Sequence, residues 1–82
     1  MVTVEFFGLY RLNYHMKSIE VEASTVKELF QKIYEVNPFY TVKELKHSIV
    51  IVNDVNFNDL KKYRTPLKDG DRVLIMSPAS GG

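Results

Sequence analysis

The sequence predicts an α+β domain, in which a mixed sheet of four to five strands carries one main helix on one face. The chain has 82 residues with 45% hydrophobic content, which suffices for one small core and leaves no room for a second domain. An alternating apolar pattern near the start of the chain and a compact apolar run at residues 73–76 indicate strands, and a helical stripe lies between them. We expect a folded domain over residues 1–76 and a flexible tail over residues 77–82.

The chain opens with two predicted strands. Residues 2–7 alternate apolar and polar side chains, which is the period of a strand with one buried face. Phe7 is the exception, because it is apolar and falls on the side opposite to Phe6. Gly8 ends this strand, and residues 16–22 alternate again after a connection. The two strands are expected to form a hairpin with a long loop.

The main helix is predicted to begin at Thr25. Glu28 follows three residues later, and this spacing is that of a capping box, which satisfies free backbone donors at a helix start. The apolar stripe of the helix consists of Val26, Leu29, Phe30 and Ile33. Asn37 and Pro38 end the helix, and its stripe should pack against the sheet.

The middle of the chain predicts a second helical turn and two more strands. Residues 41–45 (TVKEL) repeat residues 25–29 letter for letter, which predicts another capping box. Five residues are too few to indicate a structural repeat. The all-apolar residues 49–52 predict a strand near the middle of the sheet, and residues 55–57 a brief return strand.

The last strand is predicted over residues 72–76. A polar loop over residues 59–64 leads to Leu67, which we expect to lie beneath the turn marked by Asp69 and Gly70. The last strand should then pair with the rest of the sheet after this turn.

The order of these elements fits two fold classes. If the first and last strands pair in parallel at the centre, the domain is a β-grasp, or ubiquitin-like, fold. A ferredoxin-like domain would need a second long helix, for which residues 39–48 are short. We therefore predict the β-grasp fold.

Composition restricts the partners. The formal charge is +1, from 11 Lys and Arg against 10 Asp and Glu, so bulk charge favours neither nucleic acid nor a membrane surface. Cysteine is absent, which excludes a disulfide framework, a thiolate metal site and a cysteine nucleophile. The first residues resemble neither a signal peptide nor a membrane span. These observations predict a cytoplasmic protein.

Three groups of residues could suggest other chemistry, and each has a simpler interpretation. His15 and His47 are far in sequence from other ligands at metal-binding spacing, so we expect no metal. Residues 61–64 (KKYR) could touch a phosphate backbone but are typical of a solvated loop. Asp69 and Asp71 flank a turn glycine, and turn formation explains them without acid–base catalysis.

The last six residues form a narrow arm. They contain no large side chain and end on Gly81 and Gly82. Six extended residues reach about 20 Å, far enough to enter a partner's active site. Pro78 stiffens the base of the arm and favours extended geometry before it. The alternative interpretation is a frayed chain end, which is common in domains.

Several segments together resemble the MoaD/ThiS family of small sulfur carriers, which includes the small subunit of molybdopterin synthase. The matching segments are residues 4–8, 25–29, 52–53, 67–73 and 78–82. They span the chain in the order found in that family. The tail departs from the molybdopterin-type pattern of two prolines and a valine before Ser-Gly-Gly, because Ser77 and Ala79 occupy this region, and the departure leaves the pathway open.

The resemblance implies a chemical role for the terminus. An E1-like adenylating enzyme would use ATP to activate Gly82, and a sulfur donor would then convert it to a thiocarboxylate. Gly81 would thread the tail into the partner, and Pro78, Ala79 and Ser80 would contact it. The chain itself would bind no cofactor and would act as a co-substrate, without being an enzyme.

The resemblance also implies the partners. A sulfur-acceptor synthase subunit, with the large subunit of molybdopterin synthase favoured, would receive the sulfur. Carriers of this kind also supply thiazole synthesis, cysteine synthesis or tRNA thiolation. Two further alternatives remain, a ubiquitin-like modifier that acylates lysines and a binding module that needs no free terminus.

A docking surface is predicted on the sheet face away from the helix. Phe7 lies there by its phase, and Leu74 and Met76 join it if Val73 and Ile75 point to the core; the opposite phase of the last strand is open. Neighbouring central strands would then merge the three side chains into an apolar patch, which on a small domain marks a partner site. The alternative is a face covered by the protein's own loops.

Overall fold

Five strands of the described part of the chain form one mixed sheet in the order β2-β1-β5-β3-β4. The computed structural model describes residues 1–8 and 17–77. The strands are β1 (Val2–Phe7), β2 (Ser18–Val21), β3 (Ile49–Val52), β4 (Val55–Asn56) and β5 (Arg72–Met76). β1 and β5 are parallel at the centre, and the other neighbouring pairs are antiparallel. The predicted β-grasp arrangement is confirmed.

Two helices and two 3₁₀ turns complete the described fold. The helices are α1 (Val26–Val36) and α2 (Val42–Lys46), and the turns span Phe57–Asp59 and Lys62–Arg64. The threonine caps of both predicted capping boxes form, since Thr25 Oγ1 accepts a hydrogen bond from the Glu28 amide and Thr41 Oγ1 accepts one from the Glu44 amide, each at 3.2 Å. The Glu28 carboxylate accepts from the amide of Ser24, the residue before the cap, at 2.9 Å. These bonds satisfy donors that a helix start leaves without intrahelical partners.

The core lies between α1 and one face of the sheet, which we call the inner face. The sheet contributes eight buried side chains to it: Val2, Val4, Phe6, Val21, Val50, Val52, Val73 and Ile75. The predicted stripe of α1 is buried against them. Tyr40, which follows the helix, is also fully buried, and its ring centroid lies 4.6 Å from that of Phe6. The period-2 alternation of the strands thus places every second residue in the core.

The structure corrects two details of the predicted elements. β2 begins at Ser18, so it is shorter than the predicted strand over residues 16–22. The predicted polar loop over residues 59–64 contains helical turns, because Tyr63 packs on Phe30 with ring centroids 5.8 Å apart. An aromatic contact to the core therefore orders a segment whose sequence is otherwise polar.

The turn before β5 has the predicted form. Leu67 is buried beneath it. The Lys68 amide donates to Asp71 Oδ2 at 2.8 Å, so Asp71 stabilises the turn through its side chain. Asp69 Oδ1 pairs with the N-terminal ammonium group of Met1. Both carboxylates thus have structural partners.

Candidate functional site

The base of the C-terminal tail lies at the end of a central strand. β5 ends at Met76, and Ser77 is the only tail residue that the structure describes. The other predicted tail residues lie outside the described residues: Pro78, Ala79, Ser80, Gly81 and Gly82. β1 and β5 are parallel, so the tail leaves the sheet beside the end of β1.

Phe7, Leu74 and Met76 share the sheet face opposite α1, which we call the outer face. Phe7 is the register partner of Met76 across the parallel pair. Val73 and Ile75 are fully buried, which selects the phase that puts Leu74 and Met76 on the outer face. All three outer side chains are partly exposed. The structure therefore brings these three predicted residues to one surface next to the tail base.

The outer face also includes two residues that the sequence analysis did not assign to it. Ile49 is the register partner of Met76, and Ile51 is the register partner of Leu74. Both are partly exposed, whereas Val50 beside them is buried. The all-apolar run 49–52 could have indicated this. In a sheet that has a helix on one face only, a strand of four residues turns two side chains toward the helix and two toward the opposite face. We define the outer apolar patch by its members: Phe7, Ile49, Ile51, Leu74 and Met76.

An ion pair borders the patch at the end away from the tail. Arg72 Nη2 donates to Glu5 Oε1 at 2.6 Å across the β1–β5 pair. This hydrogen bond and the charge of Glu5 raise the pKa of the Arg72 guanidinium above its usual value. The patch thus has a charged, polar edge on one side and the tail base on the other, as in interfaces with an apolar centre and polar rim.

Gly8 lies directly against the tail base. Its φ is +70°, and a Cβ built on it would lie 2.9 Å from Ser77 Oγ. Real Cβ atoms essentially never approach so closely. From the sequence, Gly8 marks the end of a strand and belongs to the matching segment 4–8. Its proximity to Ser77 could not be predicted, because it depends on the parallel register of two strands far apart in sequence.

The structure also places the other groups considered from the sequence. Lys61, Lys62 and Arg64 are exposed, but Tyr63 between them packs on the core and its ring lies 4.3 Å from Lys46 Nζ. The Tyr63 ring thus already contacts Phe30 and Lys46, and it does not offer an open surface for base stacking beside the lysines.

A cavity of about 620 Å³ lies near the turn between β3 and β4. Its lining includes Val55, Leu60, Pro66 and Asp71. Asp71 directly precedes β5, whereas the tail follows Met76 at the other end of that strand. The cavity is therefore separated from the tail base by the length of a central strand.

Within residues 1–8 and 17–77, no group of three or more His, Cys, Asp or Glu residues is placed to hold a metal ion. His47 is exposed, and His15 lies outside the described residues. None of the helices in these same segments has the length and apolar character needed to cross a bilayer.

The arrangement suits a domain that docks by one face and presents its chain end. The outer apolar patch offers large side chains that a partner can cover, and such side chains dominate binding free energy at interface centres. The tail leaves the domain at the edge of this patch, because β5 contributes both Met76 and Ser77. A partner bound to the patch would therefore be within reach of the tail.

Comparison with known proteins gives a family match over nearly the whole chain. Residues 4–82 match the model described as the ThiS family. A chain in the complex of subunits 1 and 2 of molybdopterin-converting factor from Helicobacter pylori is 28% identical with a TM-score of 0.68, over 99% of this chain and 97% of that chain. No curated protein sequence matches this chain.

Two further solved structures have higher structural similarity and lower identity. One is from the BexX/CysO complex of Amycolatopsis orientalis, with a TM-score of 0.84 and 24% identity, and the alignment covers 100% of both chains. The other is the small archaeal modifier protein 1 of Methanosarcina acetivorans, with a TM-score of 0.84 and 21% identity over 99% of this chain and 95% of that one. At these identities the likeness shows a common fold alone.

Proposed function

The chain belongs to the ThiS family of small sulfur carriers, and from this premise we propose that Gly82 is adenylated and then converted to a thiocarboxylate. The observation that supports the proposal most directly is that the family match extends through residue 82 and so includes the Gly-Gly end. The match also includes β5, which leads to the tail base, and all of β1 except its first two residues; both strands contribute to the outer apolar patch.

The chemistry requires activation because a carboxylate is a poor electrophile. One oxygen of the Gly82 carboxylate attacks the α-phosphorus of ATP, a carbon–oxygen–phosphorus linkage forms, and pyrophosphate leaves. A sulfide nucleophile then attacks the carbonyl carbon and expels AMP, which gives the thiocarboxylate and releases a proton. The carrier supplies the terminus and the docking face, while ATP and the sulfur donor bind to the activating partner. Covalent activation of this kind divides one difficult step into two easier ones.

The outer apolar patch docks the carrier on its partners. In this proposal an E1-like adenylating enzyme and a sulfur-acceptor subunit cover the same patch in turn, because both must receive the same tail. With the domain held at the patch, the tail of about 20 Å carries Gly82 into each active site. Gly81 has no side chain, so the chain end can pass between enclosing walls. Pro78, Ala79 and Ser80 contact the walls.

We propose that the carried sulfur is used in molybdopterin synthesis and that the large subunit of the synthase accepts it. The support is the similarity to the complex of subunits 1 and 2 of molybdopterin-converting factor, at 28% identity and almost full coverage of both chains. We place the carrier in the cytoplasm, since its activation consumes ATP.

The test is sulfur loading measured by mass spectrometry. The protein is incubated with its cognate adenylating enzyme, ATP and sulfide as the sulfur source. We expect a mass gain equal to one oxygen replaced by one sulfur, confined to the C-terminal peptide. Without ATP there should be no gain, because the free carboxylate has no adequate leaving group.

Deletion of Gly82 should abolish loading while the fold and docking persist. The deletion moves the carboxylate back by about 3.3 Å, whereas reacting atoms must lie within about 3 to 3.5 Å of each other. An added residue after Gly82 should have the same effect, because it converts the carboxylate to an amide. Normal function with a blocked and untrimmed terminus would refute the carrier proposal and favour a binding module.

The same reaction mixture, supplied with cell proteins, separates a carrier from a modifier. Conjugates linked from Gly82 to lysines would assign the chain a modifier role. Transfer of sulfur to a purified synthase subunit, with the carrier released unconjugated, would support the proposed role.

A further inference from the structure

We propose that the cavity near the turn between β3 and β4 is a second binding site, which binds a neutral small molecule with an apolar body and one hydrogen-bond acceptor. Its volume of about 620 Å³ lies within the range of roughly 300 to 1,000 Å³ that is typical of small-molecule sites. The cavity lies at the start of β5, whereas the tail follows the end of that strand. This inference goes beyond the proposed function and does not depend on it.

The deep end of the cavity reaches the core. Val52 and Thr65 line the cavity, although each is only 4% exposed. Val52 is also a member of the hydrophobic core cluster. An apolar molecule bound here would therefore contact side chains that are otherwise shielded from water. Small-molecule sites are concave in this way, whereas the outer apolar patch is one face of a sheet.

The mouth of the cavity is apolar as well. Val55 and Leu60 line it, and each is 40% exposed. They are two of the six large hydrophobic side chains that are exposed in the described part of the chain. Pro66 adds a third apolar surface. Exposed apolar side chains that meet around one concavity are typical of a ligand-binding groove.

The charged residues of the lining do not favour a charged ligand. They are two aspartates and two lysines: Asp59, Lys61, Lys68 and Asp71. An ion bound between them would be attracted by one pair and repelled by the other, so their charges cancel. Removal of an ion from water is costly unless it gains a partner of opposite charge. The lining therefore selects a neutral molecule.

Thr65 supplies the polar group of the site. Its Oγ1 atom is buried and has no hydrogen-bond partner among the residues that the structure describes. The backbone of Thr65 is bonded on both sides, because its amide donates to the Lys62 carbonyl and its carbonyl accepts from the Val26 amide, each at 3.0 Å. Buried polar groups in folded proteins are nearly always paired. An unpaired hydroxyl on a lining residue thus indicates a partner from outside the chain.

The Thr65 hydroxyl can reach a ligand without movement of the backbone. The hydroxyl and the methyl group share Cβ, and a rotation of about 120° about the Cα–Cβ bond moves the hydroxyl from one staggered position to the next. Because the side chain lines the cavity, one of these positions faces the ligand. The hydroxyl then donates to an acceptor such as a carbonyl oxygen.

The experiment is an NMR titration of the natural protein with three probes of similar size. Acetophenone is neutral and has a carbonyl acceptor, ethylbenzene has no acceptor, and benzoate is an anion. We expect acetophenone to shift the amide signals of Val52, Val55, Leu60 and Thr65 along one saturable curve, which gives its Kd. Benzoate should bind about tenfold more weakly, because its charge must leave water without a net attraction from the lining.

Val55→Ala tests the wall of the cavity, and Val36→Ala is its matched control. Val36 is the same type of residue, is 57% exposed and ends α1 outside the lining. Val55→Ala should raise the Kd of acetophenone about threefold, because two methyl groups leave the wall. Val36→Ala should leave the Kd unchanged. Leu60→Ala gives a second test of the wall if Val55→Ala disturbs the short strand β4.

Thr65→Val tests the hydroxyl with nearly the same side-chain shape. The quantity compared is the ratio of the Kd of ethylbenzene to the Kd of acetophenone, so that a general change of the cavity cancels. We expect Thr65→Val to lower this ratio about fivefold, which corresponds to the loss of one neutral hydrogen bond. Its Tm should equal or exceed that of the natural protein, because a buried unpaired hydroxyl is removed.

The inference is overturned if no probe shows saturable binding, or if acetophenone shifts only the signals of the outer apolar patch. Equal effects of Val55→Ala and Val36→Ala, or tighter binding of benzoate than of acetophenone, would also overturn it. An unchanged ratio or a lower Tm in Thr65→Val would show that the hydroxyl does not serve the ligand. None of these measurements uses the tail or an adenylating enzyme, so failure of sulfur loading and failure of this inference are separate results.

Discussion

At the tail end of β1 and β5 both faces of the sheet carry apolar side chains, and the two faces differ in how far these side chains are covered. Val73 and Ile75 on the inner face are fully buried under α1. Leu74 and Met76, which alternate with them, are only partly buried on the outer face. One strand of five residues thus presents apolar side chains to the core and to a surface.

The difference shows that apolar character alone does not distinguish side chains that stabilise the fold from side chains that bind a partner. On the inner face every apolar side chain has a partner in the core cluster. On the outer face the apolar side chains collect at the tail end of the sheet, while the other end has the Glu5–Arg72 ion pair. A partly exposed apolar cluster beside the tail offers a surface that a partner can cover when the tail is used.

The largest expected effect is a loss of stability from the inner face. Ile75→Ala should lower the free energy of unfolding by about 2 to 5 kcal/mol, because it removes buried methylene groups and leaves a cavity. The measurement is the urea unfolding midpoint, with the slope compared to confirm two-state unfolding.

Leu74→Ala is the matched control on the outer face. Since Leu74 is already partly exposed, its truncation should cost about 1 kcal/mol or less. Equal losses from the two substitutions would show that the outer face is packed as tightly as the core, and the comparison between the faces would fail.

The next largest effect concerns docking. Phe7→Ala should raise the Kd for the adenylating enzyme and for the acceptor subunit by roughly tenfold or more, because large aromatic side chains near an interface centre provide much of the binding free energy. The measurement is calorimetric titration of each partner with the carrier.

Phe39→Ala provides the control for this prediction. Phe39 is the more exposed phenylalanine, at 72%, but it follows α1 and lies outside the outer apolar patch. Its truncation should leave both affinities unchanged. If Phe7→Ala also leaves them unchanged, the docking role of Phe7 is wrong.

Much of the fold could be predicted because local patterns decide it. The helix start at Thr25, its end at Asn37 and the strand bounds of β5 follow from capping residues, apolar period and turn glycines. The parallel pairing of β1 with β5 followed from the order of elements. In these regions local preference and tertiary packing favour the same structure.

The parts that were missed depend on contacts between distant residues. Ile49 and Ile51 join the patch only through the register of β3 with β5. Tyr63 orders a polar segment through its contact with Phe30, across more than thirty positions of the chain. The approach of Gly8 to Ser77 likewise requires the parallel register, which no local pattern contains.

The smallest expected effect is the loss of stability when the N-cap of α1, the helix that covers the inner face, is removed. The identical pentapeptide at the start of α2 provides the control. Residues 25–29 and 41–45 have the same sequence, and Thr25 and Thr41 each accept a capping bond at 3.2 Å. α1 continues for 11 residues and buries four apolar side chains, whereas α2 has 5 residues and buries one.

Thr25→Ala should therefore lower the free energy of unfolding by about 0.5 to 2 kcal/mol. Thr41→Ala should cost less, because loss of the cap on a helix that buries one apolar side chain releases fewer core contacts. Sulfur loading at temperatures where both variants are folded should equal that of the natural protein, since neither threonine touches the outer apolar patch or the tail base. The two measurements are chemical unfolding and the mass gain of the C-terminal peptide. A Thr25→Ala protein that kept its stability but lost loading would contradict the assignment of the inner face to folding and the outer face to function.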